Sequence, residues 1–289
     1  TSGGVEPQPV GSGATLSRGD GTHTADATPG ADSTSAADSA SAPRGAGGTT
    51  AQAATPGPVP DPGSVTITIV YDNTSTDPGL RADWGFACVI ETPGSTILFD
   101  TGASGPILLH NLRALGISPA DVDAVVISHA HSDHHGGLRD FLLENGEVTV
   151  FAPASLPEGM RNSIAEGGTA VEVITAGREL FPGVAVTGEL PGSPPEQALV
   201  LETPGGVVVM TGCAHPGVVA IVDAARVLVG RDVDLVVGGF HMVARDLQER
   251  GVRRVCPAHC TGEAAMRTLA ASFGEGFISA GVGAVIRMP

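Results

Sequence analysis

Lysine is missing altogether: the 15 basic residues are all arginine, set against 31 acidic ones for a formal net charge of -16. An acidic balance of this kind repels a phosphate backbone, so nucleic acid is excluded as the expected partner. The lack of lysine itself reads as genomic base composition or a salt-adapted surface and carries no function. Cysteine is scarce, and Cys88, Cys213, Cys256 and Cys260 are too few and too scattered for a disulfide framework. Cys213 and Cys260 each stand within two residues of a histidine, and whether Cys256 and Cys260 pair is left open. No apolar run reaches the roughly 18 residues of a membrane span, and no charged segment followed by an apolar one opens the chain as a signal would.

Residues 1–64 have no aromatic residue, and their larger aliphatics are only Val5, Val10, Leu16 and Val59. Ordering a backbone costs about 1–2 kcal/mol per residue, which so little apolar surface does not offset, so this stretch is expected to be a disordered tail. Residues 65–289 are dense in Val, Ile and Leu and suit one globular domain with a sizeable core. Thr1 in place of Met, with a Ser/Thr/Pro-rich tail behind it, fits a mature exported protein, although a trimmed chain has the same appearance. Export is the expectation, with the cytoplasm as its alternative.

Short Val/Ile/Thr-rich segments bounded by Gly, Pro, Asn or Asp recur as strands: "VTITIV", "FACVIET", "STILFD", "AVVIS", "VTVFAP", "QALVLET", "GVVVMTG" and "VDLVVGG". Between them, "PILLHNLRALG", "PGVVAIVDAARVLVG" and "TGEAAMRTLAASFG" carry helical spacing, with Gly116, Gly230 and Gly274 where helix ends favour a positive φ. Ser118 before Pro119 looks like a further helix start, and "ETPGGVVV" like a hairpin. Strands come first, then alternation with helices, then strands and alternation again. That order suggests an α/β fold of two packed sheets with helices outside, an αββα sandwich.

The chemistry concentrates in "SHAHSDHHGG", residues 128–137. His129 and His131 would point apart on a helix, but they converge on extended chain at the end of a strand, and "VDAVVIS" is such a strand. Asp133 and His134 follow in the next turn, so one loop offers three imidazoles and a carboxylate at distances that suit zinc. A solvated polar turn would explain one histidine there and does not explain this set. "MTGCAHPG" and "VCPAHCTG" repeat the strand-end context and make His215 and His259 ligand candidates, with Cys213 beside the first. His241 in "GGFHM" either joins them or meets substrate. His135 reads as exposed or supporting, His110 as a helix residue, and Asp100 in "ILFDTG" as an acid that orients the histidine loop or caps its turn. Gly136 and Gly137 are expected to let the chain turn into the next helix.

With "FDTG" at 99–102 and "HAHSDHHGG" at 129–137, the chain from about 65 to 289 resembles the metallo-β-lactamase superfamily. "YDNTS" at 71–75, "TGCAHPG" at 211–217, "GGFH" at 238–241 and "PAHCTG" at 257–262 are similar to the subgroup that includes dihydropterin ribofuranosylaminobenzene phosphate synthases. The resemblance implies the αββα fold with a metal site at one edge. It would put His129 and His131 on a first metal, Asp133, His134 and His259 on a second, and an activated water between them as nucleophile. Two departures stand out. Cys213 occupies the place of the usual bridging aspartate, and the histidine usual some twenty residues earlier is missing, Glu196 being the nearby acid. His215 is inferred to replace that histidine, and Cys213 either bridges as thiolate or lies beside the bridge. A thiolate favours zinc, one or two ions per chain, over manganese, while iron stays open. The implied activity is a hydrolase acting on a small-molecule ester, phosphoester or amide. The alternatives are a synthase-like transferase, iron redox chemistry, and a non-catalytic metal-binding role. Flavodiiron members carry Glu in place of His131 and an added flavodoxin domain, which counts against redox chemistry.

Overall fold

The computed structural model describes residues 64–241 and 245–289, so the expected tail and Met242–Ala244 lie outside the described residues. The first strands are β1 (Val65–Tyr71), β2 (Ala87–Glu91), β3 (Thr96–Phe99), β4 (Ala124–Val126), β5 (Thr149–Pro153) and β6 (Ala170–Ile174). Helices α1 (Gly105–Ala114), α2 (Ser132–His135), α3 (Leu138–Glu144) and α4 (Glu158–Glu166) fall between them. There follow β7 (Arg178–Phe181), β8 (Val184–Val186), β9 (Leu199–Thr203), β10 (Gly206–Thr211), α5 (Val218–Val229), β11 (Val233–Gly239), β12 (Arg254–Ala258), α6 (Glu263–Phe273) and β13 (Val285–Met288).

These strands form two sheets, a seven-stranded one in the order β13-β1-β2-β3-β4-β5-β6 and a six-stranded one in the order β12-β11-β10-β9-β8-β7. The alternation of buried side chains shows how they stack. Val208 and Met210 of β10 join Ile67, Ile69, Phe99 and Val126 of the other sheet in the central layer, while Val207 and Val209 turn outward against Ile221 and Val222 of α5. The first sheet's outer face packs Leu98, Val125 and Val150 against Leu108, Leu112 and Phe141 of α1 and α3. Each such aliphatic side chain stabilises by about 1.5–3 kcal/mol when fully buried, so three continuous apolar layers supply the driving force for the αββα sandwich.

The three expected helices form, and their glycine ends are as read, with φ of 73° at Gly116, 67° at Gly230 and 53° at Gly274. Ser118–Pro119 opens only a 3-10 turn, Pro119–Asp121, because the chain must enter β4 within three residues. Gly136 and Gly137 do a different job from the one expected of them. Both have ordinary helical φ, -64° and -80°. A Cβ on Gly136 would meet Ala103 O at 2.4 Å, and one on Gly137 would meet Thr101 O at 2.2 Å, so the pair permits close packing of the histidine loop on the β3–α1 loop.

Strand directions place the site. β3 and β4 run parallel, as do β10, β11 and β12, and β1 is parallel to β3 because each is antiparallel to β2. Asp72, Asp100, His129, Cys213, His241 and His259 therefore follow C-terminal strand ends, where turns tolerate polar side chains that strand interiors would not. Among the described residues, no helix is long and apolar enough to cross a membrane.

Candidate metal centre

Backbone conformation marks the site before any side chain is considered. Asp100, Ala214 and His259 are the non-glycine residues with positive φ among those described, at 57°, 57° and 47°. All three lie in strand-end loops of the histidine cluster, where the surrounding bonds hold a conformation that costs about 1–3 kcal/mol elsewhere.

The loop after β4 points its imidazoles inward because their outer nitrogens are tied down. Asp100 is fully buried and accepts the Ser128 N–H at 2.7 Å, the Ser128 hydroxyl at 2.7 Å and His134 Nδ1–H at 2.7 Å. Ser128 Oγ, having given its proton to Asp100, accepts His129 Nδ1–H at 2.9 Å. On the other side Asn73 Oδ1 accepts His259 Nδ1–H at 3.0 Å, and Asp72 Oδ1 accepts the His259 backbone N–H at 2.8 Å. These bonds fix one tautomer for three histidines and leave each Nε2 lone pair facing the interior of the cluster. Burial, reinforced by neighbouring imidazoles, pushes His129 and His134 far below the usual histidine range and His215 down to about 4, so all are neutral donors at pH 7.

Two trios result. His129, His131 and His215 form the first, with His129 Nε2 3.2 Å from His131 Nδ1. Asp133, His134 and His259 form the second, with His259 Nε2 3.2 Å and His134 Nε2 3.9 Å from Asp133 Oδ2. Cys213 stands between them: its Sγ is 3.3 Å from His134 Nε2, and it groups with His129 and His134 on one side and with His259 and Cys260 on the other. Nε2 of His215 and of His259 is buried without a hydrogen-bond partner. A buried polar nitrogen without a partner costs about 1–3 kcal/mol, and two of them facing one interior are what a cation-binding cluster presents. The donor set of imidazole, carboxylate and thiol fits a divalent transition metal.

Burial pushes the Asp133 carboxyl up, but the His259 and His134 imidazoles close beside it outweigh burial and hold it well below the usual carboxylate range. Burial also pushes Asp100 above that range, and its bonds from Ser128 pull back only part of the way.

A sequence profile of the metallo-beta-lactamase superfamily matches residues 85–259, more than half of the chain and every member of the two trios together with Cys213. The chain belongs to the metallo-beta-lactamase superfamily. Within the superfamily it is 27% identical over 279 residues to the 7,8-dihydropterin-6-methyl-4-(beta-D-ribofuranosyl)-aminobenzene-5'-phosphate synthase of Methanocaldococcus jannaschii, covering 76% of this chain and 95% of that protein. Among solved structures it is similar to Tm1679, a metal-dependent hydrolase of the beta-lactamase superfamily, with 26% identity and a TM-score of 0.63 over 77% of this chain and 98% of that one. The short form of human tRNase Z shares the fold, at 16% identity and a TM-score of 0.52 over 78% of this chain and 99% of that one.

The structure brings together His129, His131, Asp133, His134, His215 and His259, with Cys213 in their midst and Asp100 behind them. His241 lies at the rim, exposed, its ring 4.9 Å from that of His215. His135 turns away and lines a cleft with Leu138, Leu142 and Met160, and His110, on α1, has its Nε2 3.0 Å from Gly79 O. Cys256 is buried in the layer between the sheets, and all four cysteines are free, which closes the open question of its pairing with Cys260.

Sequence reasoning left Glu196 without a role and overlooked Ser128, Asp72, Asn73 and Trp84. Glu196 stands where a ligand was missing, yet it is a support. Its Oε1 accepts the N–H groups of Gly212, Cys213 and Ala214 at 2.9, 3.1 and 3.0 Å, and its Oε2 accepts that of His215 at 2.9 Å. It thereby shapes the turn that presents Cys213 and His215. The signal for Asp72 and Asn73 was the quoted "YDNTS"; for Trp84 it was only its being the chain's one tryptophan. Glu196→Ala would leave four buried N–H groups unpaired and is expected to destabilise the fold by at least about 3 kcal/mol, read as a lowered urea midpoint. Asp100→Asn keeps the positive φ but replaces one of the two oxygens that accept from Ser128 and His134 with an NH2 donor. Its metal affinity, measured by competition with a chromophoric chelator, is expected to fall about 10–100-fold.

Proposed function

We propose that the chain is a metal-dependent hydrolase, with zinc its ion, acting on an ester, phosphoester or amide of a small molecule. The observation that carries this reading is the facing pair of trios, with the buried Nε2 atoms of His215 and His259 unpartnered between them. His129, His131 and His215 would hold one ion and Asp133, His134 and His259 a second, with the Cys213 thiol between the two positions. Bound there, zinc supplies Lewis acidity that lowers the pKa of water from 15.7 to about 7 and polarises the bond under attack.

The chain's own residues set the rest. Asp133 is the acid of the cluster that keeps some exposure, 19% of its side chain, so it meets both the interior and an entering water and orients that water by accepting its hydrogen bond. Asp100 and Ser128 hold the imidazoles rigid, which removes reorganisation from the reacting geometry. His241, at the rim, is placed to donate to a departing oxygen. The test is hydrolysis of p-nitrophenyl acetate, p-nitrophenyl phosphate and bis-p-nitrophenyl phosphate before and after chelation, with zinc then restored. Turnover that survives complete removal of metal overturns the proposal.

A second reading has one observation in its favour. The similar Methanocaldococcus jannaschii protein is named a synthase, and the match spans 95% of it. A transferase of that kind would use the same centre to assist a leaving group while a second substrate, rather than water, attacks. Product analysis separates the two, since the transferase yields a joined product and the hydrolase does not.

A further inference from the structure

Large apolar side chains that stay exposed are few among the described residues: Leu143 and Val227 sit on the outer helices α3 and α5, and Val173 and Val285 on β6 and β13, the two edge strands of the seven-stranded sheet. Trp84 is different. It is 58% exposed, yet it borders the metal centre and is held still. Its indole Nε1–H donates to Asp133 Oδ2 at 2.8 Å, and its ring tilts against that of His259 with centroids 4.8 Å apart. The backbone around it is pinned on both sides. The Asp83 N–H donates to Asp72 O at 3.1 Å, the Gly85 N–H to Asn73 Oδ1 at 3.2 Å, and the Phe86 N–H to Asp133 O at 3.3 Å. Gly85 makes this approach possible, because a Cβ there would lie 2.5 Å from Asp133 O, and its φ of 144° is open to glycine.

A tryptophan needed only to shield Asp133 would be tucked over it, with its surface out of water. This one has its polar edge satisfied and most of its ring area open to solvent. A large side chain already fixed loses little conformational freedom when a ligand covers it, which is the condition for an efficient contact surface. The open surface suits either a cation or a second flat ring. A cation there would lie beside the positive charge of a loaded metal centre, so electrostatics selects the flat ring.

We infer that Trp84 is a stacking platform for a planar heteroaromatic ring whose attached phosphoester or ester reaches the metal centre. The inference rests on the proposed hydrolase for the reacting end alone; ring binding is read without turnover. It narrows the substrate from any small ester to a base-like ring carrying an acidic ester. The site would thus hold its substrate at two points, the ring on Trp84 and the reacting group among the imidazoles.

Trp84 is the chain's one tryptophan, so intrinsic fluorescence reports on this residue alone. The zinc-loaded full chain is titrated with guanosine monophosphate, uridine monophosphate and, as a ring-free control, ribose phosphate. Saturable quenching by guanosine monophosphate is expected, weaker affinity for the smaller uracil ring, and no quenching by ribose phosphate. Equilibrium dialysis then compares two variants. Trp84→Phe keeps a ring and loses the donor to Asp133, and it should bind guanosine monophosphate within about threefold of the parent. Trp84→Ala loses both and should bind about tenfold more weakly, a difference of about 1.4 kcal/mol. Ribose phosphate should bind all three proteins alike. The inference is overturned if guanosine monophosphate fails to quench, if tetramethylammonium quenches in its place, or if both variants weaken equally, since that would assign the effect to the bond with Asp133. Quenching that persists in a protein without hydrolytic activity would count against the hydrolase and support the ring site.

Discussion

Replacing His131 with alanine is expected to empty the first metal position and take turnover below detection while leaving the fold intact. His131 is exposed, so the substitution creates no cavity in the core, and surface changes of this sort shift stability by no more than about 0.5 kcal/mol. Its chemical cost is large. His129 and His215 are the remaining members of the first trio, and their rings face His131 at centroid distances of 4.9 and 4.8 Å. Two imidazoles do not complete the three-ligand set of a catalytic zinc. The activation lost with the ion is the gap between a water pKa of 15.7 and about 7, which at 1.36 kcal/mol per unit is roughly 12 kcal/mol. No rearrangement of neighbouring acids recovers a term of that size. His135→Ala is the matched control: it removes an imidazole from the same loop, but one that lines the cleft beside α3. Metal analysis and circular dichroism of both variants decide the matter. Wild-type metal content together with retained turnover in His131→Ala would refute the proposed centre.

The sequence made the ligands more legible than their supports, and the reason is physical. His129, His131, Asp133 and His134 stand close together in the chain, and imidazoles crowded at the end of an apolar strand have few structural uses. The αββα layering was legible too, because strands such as β10 and β11 bury residues on both faces and read as near-continuous Val/Leu runs. Strands β6 and β7 were not, since they lie at the ends of their sheets, where half-exposed sequences such as "AVEVI" and "RELF" lack a clear period. Asp72, Ser128 and Glu196 are ordinary residues in sequence; only the meeting of strand ends gives them work. Glu196 is the sharpest example. It lies 16–19 residues from the four N–H groups it accepts, and nothing local announces that a carboxylate will be buried to shape a distant turn. Burial pushes it up to about 7, and the hydrogen bonds from that turn are what pull against the shift.

Cys213→Ala is expected to lower the metal content from two ions per chain to one and to remove the thiolate-to-metal charge-transfer absorption of the cobalt-loaded protein. The geometry is specific: Cys213 is 3% exposed, and its Sγ lies 3.3 Å from His134 Nε2 and is shared between the groups on either side. Hydrogen bonding with Cys260 and burial push the Cys213 thiol well above the usual range, so a thiolate there depends on an adjacent cation, which deprotonates a coordinating thiol outright. Cobalt therefore reports on the sulfur directly, without reference to turnover. Cys260 is the competing explanation, because it belongs to the same group as Cys213 and His259 and its sulfur lies 3.7 Å from Cys213 O. Cys260→Ala should leave the charge-transfer band in place if Cys213 is the ligand and abolish it if the roles are exchanged. Cys213→Asp supplies the complementary case. It restores the carboxylate that the family resemblance expects at this position, so it should recover two ions without the band and should improve the binding of manganese, which prefers oxygen donors to sulfur. Two ions in both Cys213→Ala and the parent, with the band unchanged, would remove the thiolate from the centre and leave the six histidine and aspartate donors to hold both metals alone.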